Sequence, residues 1–264
     1  MKKYSSMSNR VLLVYHYDAP PDDRVHSFLV THGFEPVIRR PFAGEVLERA
    51  NEQIAGAVIY GGSFPVHEMK TNPFLKAEDR LIGECLEWNI PLLGICQGAQ
   101  QMALHLGATV EPHESGIMEF GYYEISPTPN AGDFLTRPLT VAQDHGHTFS
   151  LPAGATHLAS SSAFENQAFR YGRNAYALQF HPEVTIENFR HWQSASSSRY
   201  GRPGTQTREE QEALMYRHDA AQANWFYGFL GKFFEREGIS SPKWWYSDVE
   251  RAERVIPTAE VALC

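Results

Sequence analysis

The chain has 264 residues, 42% of them hydrophobic, three cysteines and a formal net charge of −8. That length suits one large α/β domain or two small ones, and no low-complexity linker parts two hydrophobic halves, so one is expected. The acidic balance speaks against an electrostatic nucleic-acid binder, no apolar run approaches the ~18 residues of a membrane span, and Cys85, Cys96 and Cys264 make no disulfide framework.

The basic start Met1-Lys2-Lys3 is followed by an apolar run, Val11–Val14, that is too short for an export signal, with Asp18 close behind. A reducing cytoplasm is therefore the expected compartment, and it would keep thiols usable. The negative charge reads as solubility.

Residues 1–9 read as a polar leader. Val11-Leu12-Leu13-Val14 predicts a first buried strand, and the proline-containing stretch Asp18–Asp23 a loop at its carboxyl end. Val25–His32 predicts a helix stopped by Gly33, Glu35–Arg39 a second strand, and Gly44–Ala50 a short helix. Ala55–Tyr60 is a third strand, broken by Gly61-Gly62-Ser63. A glycine pair there is either a plain turn or a place where backbone approaches a ligand. Asn72 and Pro73 predict a helix start, with Asn72 as the cap and Pro73 at the first helical position. Leu75, Leu81, Ile82, Cys85, Leu86 and Trp88 mark its apolar face, which makes Cys85 a packing residue.

Pro91–Ile95 predicts a buried strand, and Gln97–Leu106 a helix ending at Gly107. Between them Gly94-Ile95-Cys96-Gln97-Gly98 has the form of a nucleophile elbow, in which glycines two before and two after the nucleophile avoid collision. The helix N-terminus favours a thiolate. Cys96 is either a nucleophile or a buried structural thiol. Alternating strands and helices up to this point imply a mostly parallel α/β sheet, with ligands beyond the carboxyl ends of its strands. Gly61-Gly62 and Cys96 both fall at that edge.

The second half changes texture. Glu119–Ile125, Leu139–Gln143, His157–Ser161, Asn166–Arg170 and Ala175–Phe180 alternate as strands, with a Pro/Gly/Asn-rich loop over Ser126–Pro138. Asp144, His145 and His147 could suggest a metal site, but no further ligands appear at zinc-like spacing, so none is expected. In Gln179-Phe180-His181-Pro182-Glu183 the side chains of His181 and Glu183 share one face of an extended segment. They can serve as base and orienting carboxylate for a cysteine nucleophile. Thr185–Trp192 predicts a helix, Ser194–Gly204 a polar loop, and Thr207-Arg208-Glu209-Glu210 a capping box. That box opens a long amphipathic helix carrying Leu214, His218, Trp225, Phe226, Phe229 and Phe233, whose aromatic stripe reads as core. Trp244, Trp245 and Tyr246 lie in a tail that could dock on the domain or on a partner.

Gly94–Gln100, His181-Pro182-Glu183 and the upstream Gly61-Gly62 together resemble the class I glutamine amidotransferases. The likeness is greatest to stand-alone proteins similar to the glutaminase domain of GMP synthase. Glu119-Phe120-Gly121, His145-Gly146-His147 and Ala168-Phe169-Arg170 support it, and it covers about residues 10–192. Residues 193–239 are then a loop and a C-terminal helix packed on the same domain, and 240–264 a tail. The resemblance implies a flavodoxin-like, mostly parallel open sheet with helices on both faces and an antiparallel region in the second half. It implies a triad of Cys96, His181 and Glu183, an oxyanion hole from the N–H groups of Gly62 and Gln97, and substrate contacts from Gln100, Gly146 and His147. No cofactor is implied.

The pattern departs from the family at His147, where relatives similar to GMP synthase usually carry Asp. No Ser-Gly-Gly-Val-Asp-Ser stretch follows residue 192, so the chain is not expected to make GMP itself. Three functions compete. One is a glutaminase handing ammonia to a separate synthetase. The second is an independent γ-glutamyl amide hydrolase or peptidase, favoured by His147 and the extra C-terminal region. The third is a non-catalytic regulatory module that keeps the fold. Neither nucleic acid nor membrane is an expected partner, and oligomeric state is not legible.

Overall fold

The computed structural model describes residues 8–18, 21–195 and 197–234. Strand β1 (Arg10–Val14) is followed by α1 (Arg24–Thr31), β2 (Glu35–Arg39), β3 (Gly56–Ile59), α2 (Leu75–Glu87), β4 (Leu92–Ile95) and α3 (Gln97–His105). Then come β5 (Val110–Pro112), β6 (Glu119–Pro127), β7 (Leu139–His145), β8 (His147–Phe149), β9 (Thr156–Ser161), β10 (Ala168–Tyr171) and β11 (Ala175–Leu178). Two helices close the described chain, α4 (Ile186–Ala195) and α5 (Arg208–Phe233).

Nine strands form one sheet in the order β2-β1-β3-β4-β11-β10-β9-β6-β7. The run from β2 to β11 is parallel, and the remaining pairings are antiparallel. This is the expected mostly parallel α/β sheet with an antiparallel extension. A separate ribbon of β5 and β8, which the sequence reading does not contain, lies outside the sheet.

The period-2 alternation of β1 divides its side chains between two cores. Val11 and Leu13 pack with Val25, Phe28 and Leu29 of α1 and with Phe226, Phe229 and Leu230 of α5. Leu12 and Val14 pack on the other face with Leu81, Ile82 and Cys85 of α2 and with Ala99, Met102 and Ala103 of α3. Each such fully buried side chain contributes roughly 1.5–3 kcal/mol, so the sheet is held from both sides. The aromatic stripe of α5 is core, as expected. Its start has the predicted capping box: Thr207 Oγ1 accepts from the Glu210 N–H (3.2 Å), and the Thr207 N–H donates to Glu210 Oε2 (2.8 Å).

Three expectations are corrected. Gly44–Ala50 is not helical: one 3-10 turn, Pro41–Ala43, ends at Gly44 with φ 89°. The segment beyond is tied to α2 instead, because the Ala50 N–H donates to Glu84 (2.8 Å) and Arg80 donates to the Leu47 carbonyl (2.9 Å). Seven residues are also too few to overcome helix nucleation alone. Helix α2 begins at Leu75, not at Asn72-Pro73. Those residues form a preceding turn, with Leu75 N–H on the Asn72 carbonyl (3.1 Å), and the Asn72 side chain caps nothing. Trp88 is 60% exposed at the end of α2, where the helix has stopped presenting its apolar face. Cys85 is buried as predicted, and burial, then Glu84, push its thiol up to about 12.

No helix among the described residues is long and apolar enough to cross a membrane. The aromatic tail from residue 240 lies outside the described residues.

Candidate active site

Residues far apart in the chain meet because β4 and β11 are parallel neighbours, with Ile95 opposite Leu178. The Cys96 N–H continues the ladder to the Leu178 carbonyl at 2.7 Å. Whatever follows Leu178 is therefore delivered beside Cys96 at the carboxyl edge of the sheet.

Cys96 sits between β4 and α3 with φ 50° and ψ −103°. Positive φ at a non-glycine residue costs on the order of 1–3 kcal/mol and persists only when its surroundings enforce it. Two close approaches do so. A Cβ on Gly98 would overlap the Ile59 carbonyl of β3. A Cβ on Gly94 would lie 2.6 Å from the Gly98 carbonyl oxygen and 2.7 Å from Met102 Sδ. The elbow rule thus holds at both glycines, but the wall against Gly98 is the neighbouring strand rather than Gly94.

The His181 N–H donates to the Ala142 carbonyl of β7 at 2.8 Å, which fixes the segment after β11. His181 Nδ1 lies 2.8 Å from Glu183 Oε1, which leaves Nε2 as the other ring nitrogen for the Cys96 sulfur, and His181 and Cys96 both border Gly61. All three side chains are buried. Burial alone would push the imidazole pKa down, but Glu183 and then Cys96 outweigh it and hold His181 well above the usual histidine range. The Trp192 ring stands edge-on to the imidazole, with centroids 4.7 Å apart. This arrangement can bring a nucleophilic sulfur, a proton carrier and an orienting carboxylate together.

The other predicted positions lie on segments that border this group. A Cβ on Gly61 would lie 2.7 Å from His181 Cε1 and 3.4 Å from Cys96 Cβ, so the glycine pair is a close approach and not only a turn. Gln97 is the first residue of α3, where a backbone N–H has no acceptor within the helix. Its side-chain oxygen accepts from the Phe64 N–H at 2.9 Å. Gln100 donates to Gln179 Oε1 (3.1 Å), and Gln179 donates to Cys96 Sγ (3.5 Å). Gly146 and His147 follow β7, and His147 is half-buried. Burial, then His67 and His145, lower the pKa of His147. His145 points elsewhere: its ring bonds the His147 carbonyl (3.0 Å) and Glu119 (3.1 Å). Among the described residues no group of three or more His, Cys, Asp or Glu side chains could hold a metal.

With this geometry in view, the family model for class-I glutamine amidotransferases matches residues 25–192. The chain belongs to the class-I glutamine amidotransferases. Similar proteins include the glutamine amidotransferase-like protein YfeJ of Salmonella typhimurium, 32% identical over 157 residues. That match covers 56% of this chain and 64% of the relative. The glutamine-hydrolysing GMP synthase of Porphyromonas gingivalis is 32% identical over 136 residues, covering 50% of this chain and 25% of the relative. The chain thus spans less than two thirds of the length of either. A crystal structure of a glutamine amidotransferase from Thermotoga maritima superposes with a TM-score of 0.76 at 30% identity, covering 86% of this chain and 98% of the other.

Several residues around this candidate site were not given their roles by the sequence. Arg24, buried in the first turn of α1, donates to the Pro182 carbonyl (3.1 Å) and to the Val184 carbonyl, and pairs with Asp219 of α5 (2.6 Å). It clamps the turn that carries Glu183. Gln179 lies in the quoted histidine motif, and its place opposite Cys96 follows only from the β4–β11 register. The Asp144 carbonyl accepts from Cys96 Sγ at 3.8 Å. Its carboxylate lies 2.8 Å from Arg199 Nε, close enough for an ion pair although that N–H is not aimed at the oxygen. Burial raises the Asp144 pKa against the pull of Arg199, His181 and His145.

Proposed function

We propose that this amidotransferase hydrolyses the γ-amide of glutamine through a γ-glutamyl thioester on Cys96. The observation that carries this is the buried group of Cys96, His181 and Glu183, with His181 Nδ1 2.8 Å from Glu183 and both His181 and Cys96 against Gly61 beside a strained cysteine elbow. In the proposed reaction the Cys96 thiolate attacks the γ-carbonyl carbon, forming a C–S bond and a tetrahedral oxyanion. Gly62 and Gln97 N–H groups hold that charge, and losing one such donor typically costs ~10²–10³ in rate. The C–N bond then breaks as His181 gives its proton to the leaving nitrogen, releasing ammonia. Water, deprotonated by His181, attacks the thioester, and the C–S bond breaks to release glutamate. Glu183 keeps the imidazole in register and supports its positive form. Gln100, Gly146 and His147 grip the amino-acid end of the substrate, and the ammonia passes to a separate synthetase.

A second reading is an independent γ-glutamyl amide hydrolase. It is favoured by His147, which stands where relatives similar to GMP synthase usually carry Asp and whose pKa is lowered by burial, then by His67 and His145: a changed rim can admit a bulkier leaving group.

One assay tests both. Wild type and Cys96→Ala are compared on glutamine and on a panel of γ-glutamyl amides, with free ammonia or amine measured. The glutaminase reading expects glutamine turnover in wild type alone. Turnover confined to bulkier amides moves the assignment to the second reading, and none on any substrate contradicts both.

A further inference from the structure

Behind the glycine pair lies a buried polar cluster that no step above employs. His16, just past β1, and Glu78, on α2, have 0% exposed side chains. His16 Nε2 lies 3.0 Å from each Glu78 oxygen. His16 Nδ1 faces the carbonyls of Tyr60 (3.1 Å) and Gly61 (3.3 Å). Both ring nitrogens thus face oxygens, so the imidazole is held between the glycine turn and Glu78. Glu78 Oε2 also accepts from Gln101 Nε2 of α3 at 2.6 Å.

Packing alone does not account for this cluster. A buried ion pair is weak as a stabilising device, and apolar residues of similar volume often do as well or better. What an apolar pair could not do is hold the Gly61 carbonyl.

We propose that His16, Glu78 and Gln101 are positioning residues that orient the Gly61–Gly62 peptide and keep it in register with the elbow helix. This rests on the amidase reading and extends it. In a planar trans peptide the carbonyl and the following N–H point in opposite directions. With the Gly61 oxygen drawn to His16, the Gly62 N–H is turned away from it, to the side where Gly61 borders Cys96 and His181. Two adjacent glycines are the most freely rotating backbone available, so an unclamped peptide would also present its carbonyl to the site. The turn is gripped from behind as well, since a Cβ on Gly62 would lie 2.6 Å from both His16 Cβ and Gln97 Oε1. The second donor, the Gln97 N–H, rides on α3, the helix that Gln101 ties to Glu78. One carboxylate therefore links the carriers of both donors.

The test separates oxyanion stabilisation from thiol reactivity. Alkylation of Cys96 by iodoacetamide is a direct displacement that needs the nucleophilic sulfur and no oxyanion donor. Glu78→Gln and Gln101→Leu are compared with wild type in kcat, KM and alkylation rate, with far-UV circular dichroism as the check on folding. For Glu78→Gln the expected result is a kcat lower by ~10²-fold, the scale of one lost donor, with KM and alkylation rate close to wild type. Gln101→Leu, which removes a single bond of the cluster, should lower kcat by about tenfold with the same pattern, and it decides alone if Glu78→Gln does not fold. Unchanged kcat in folded variants, or kcat and alkylation falling together, overturns the inference. A wild-type protein that is alkylated at Cys96 but turns over no γ-glutamyl amide is a different result, which overturns the amidase reading and takes this inference with it.

Discussion

At the scale of single residues, Cys96 is held in its strained conformation by what its flanking glycines lack. Gly98→Ala would drive a methyl group into the Ile59 carbonyl, which is backbone and cannot step aside. The expected cost is roughly 3 kcal/mol, read as a lower urea midpoint, together with loss of turnover. The two described cysteines should also part company. Cys85, buried and raised to about 12, stays unlabelled by iodoacetamide in the folded protein, while peptide mapping finds Cys96 modified. His181 gives a pH signature. Its pKa is raised in the fold, so its contribution to stability is full below about pH 6.5 and is lost as pH rises through the raised value. Glu183→Gln removes the larger of the two raising partners. The stability gap between wild type and this variant should be widest near pH 6 and shrink toward alkaline pH in urea titrations. A gap that widens with pH would contradict the assignment.

Elements were legible in the sequence where one face of a helix or strand meets the core. The apolar periodicity of α1, α2 and α5 and the Thr207–Glu210 box mark real helices. The pattern misled at Gly44–Ala50 because bonds from Glu84 and Arg80 claim that backbone, and no local rule reports a partner on another element. Arg24 was invisible for the same reason. Its guanidinium joins α1, the turn after His181 and α5, yet in sequence it is one arginine at a helix start. Arg24→Met leaves Asp219, 16% exposed, without its partner. Breaking a buried pair from one side costs about 3–5 kcal/mol; the exposure of Asp219 places the expected loss at the lower end. The variant should also lose kcat, because the Glu183 turn loses its clamp. Asp219→Asn made alongside it should restore part of the stability but not the kcat.

On the scale of the whole molecule, the site is a product of strand order. Nothing local says that β11 inserts next to β4, yet that pairing sets Gln179 opposite Cys96 and brings His181 within reach. The motifs named the side chains, while the register explains why they meet. The antiparallel extension contributes too: β7 supplies the carbonyl that anchors His181, and α5 reaches across to it through Gln222, which accepts the Ala142 N–H at 2.6 Å. Gln222→Leu orphans that buried N–H, for an expected loss of about 1–3 kcal/mol, measurable as a lower urea midpoint. The most direct test of the central claim is capture of the intermediate. Wild type and Cys96→Ala are mixed with glutamine, or with the fastest γ-glutamyl amide, quenched in acid during turnover and examined by peptide mass mapping. The account predicts a γ-glutamyl group on the Cys96 peptide of wild type and none on the variant. Turnover without that adduct, and undiminished in Cys96→Ala, would contradict it.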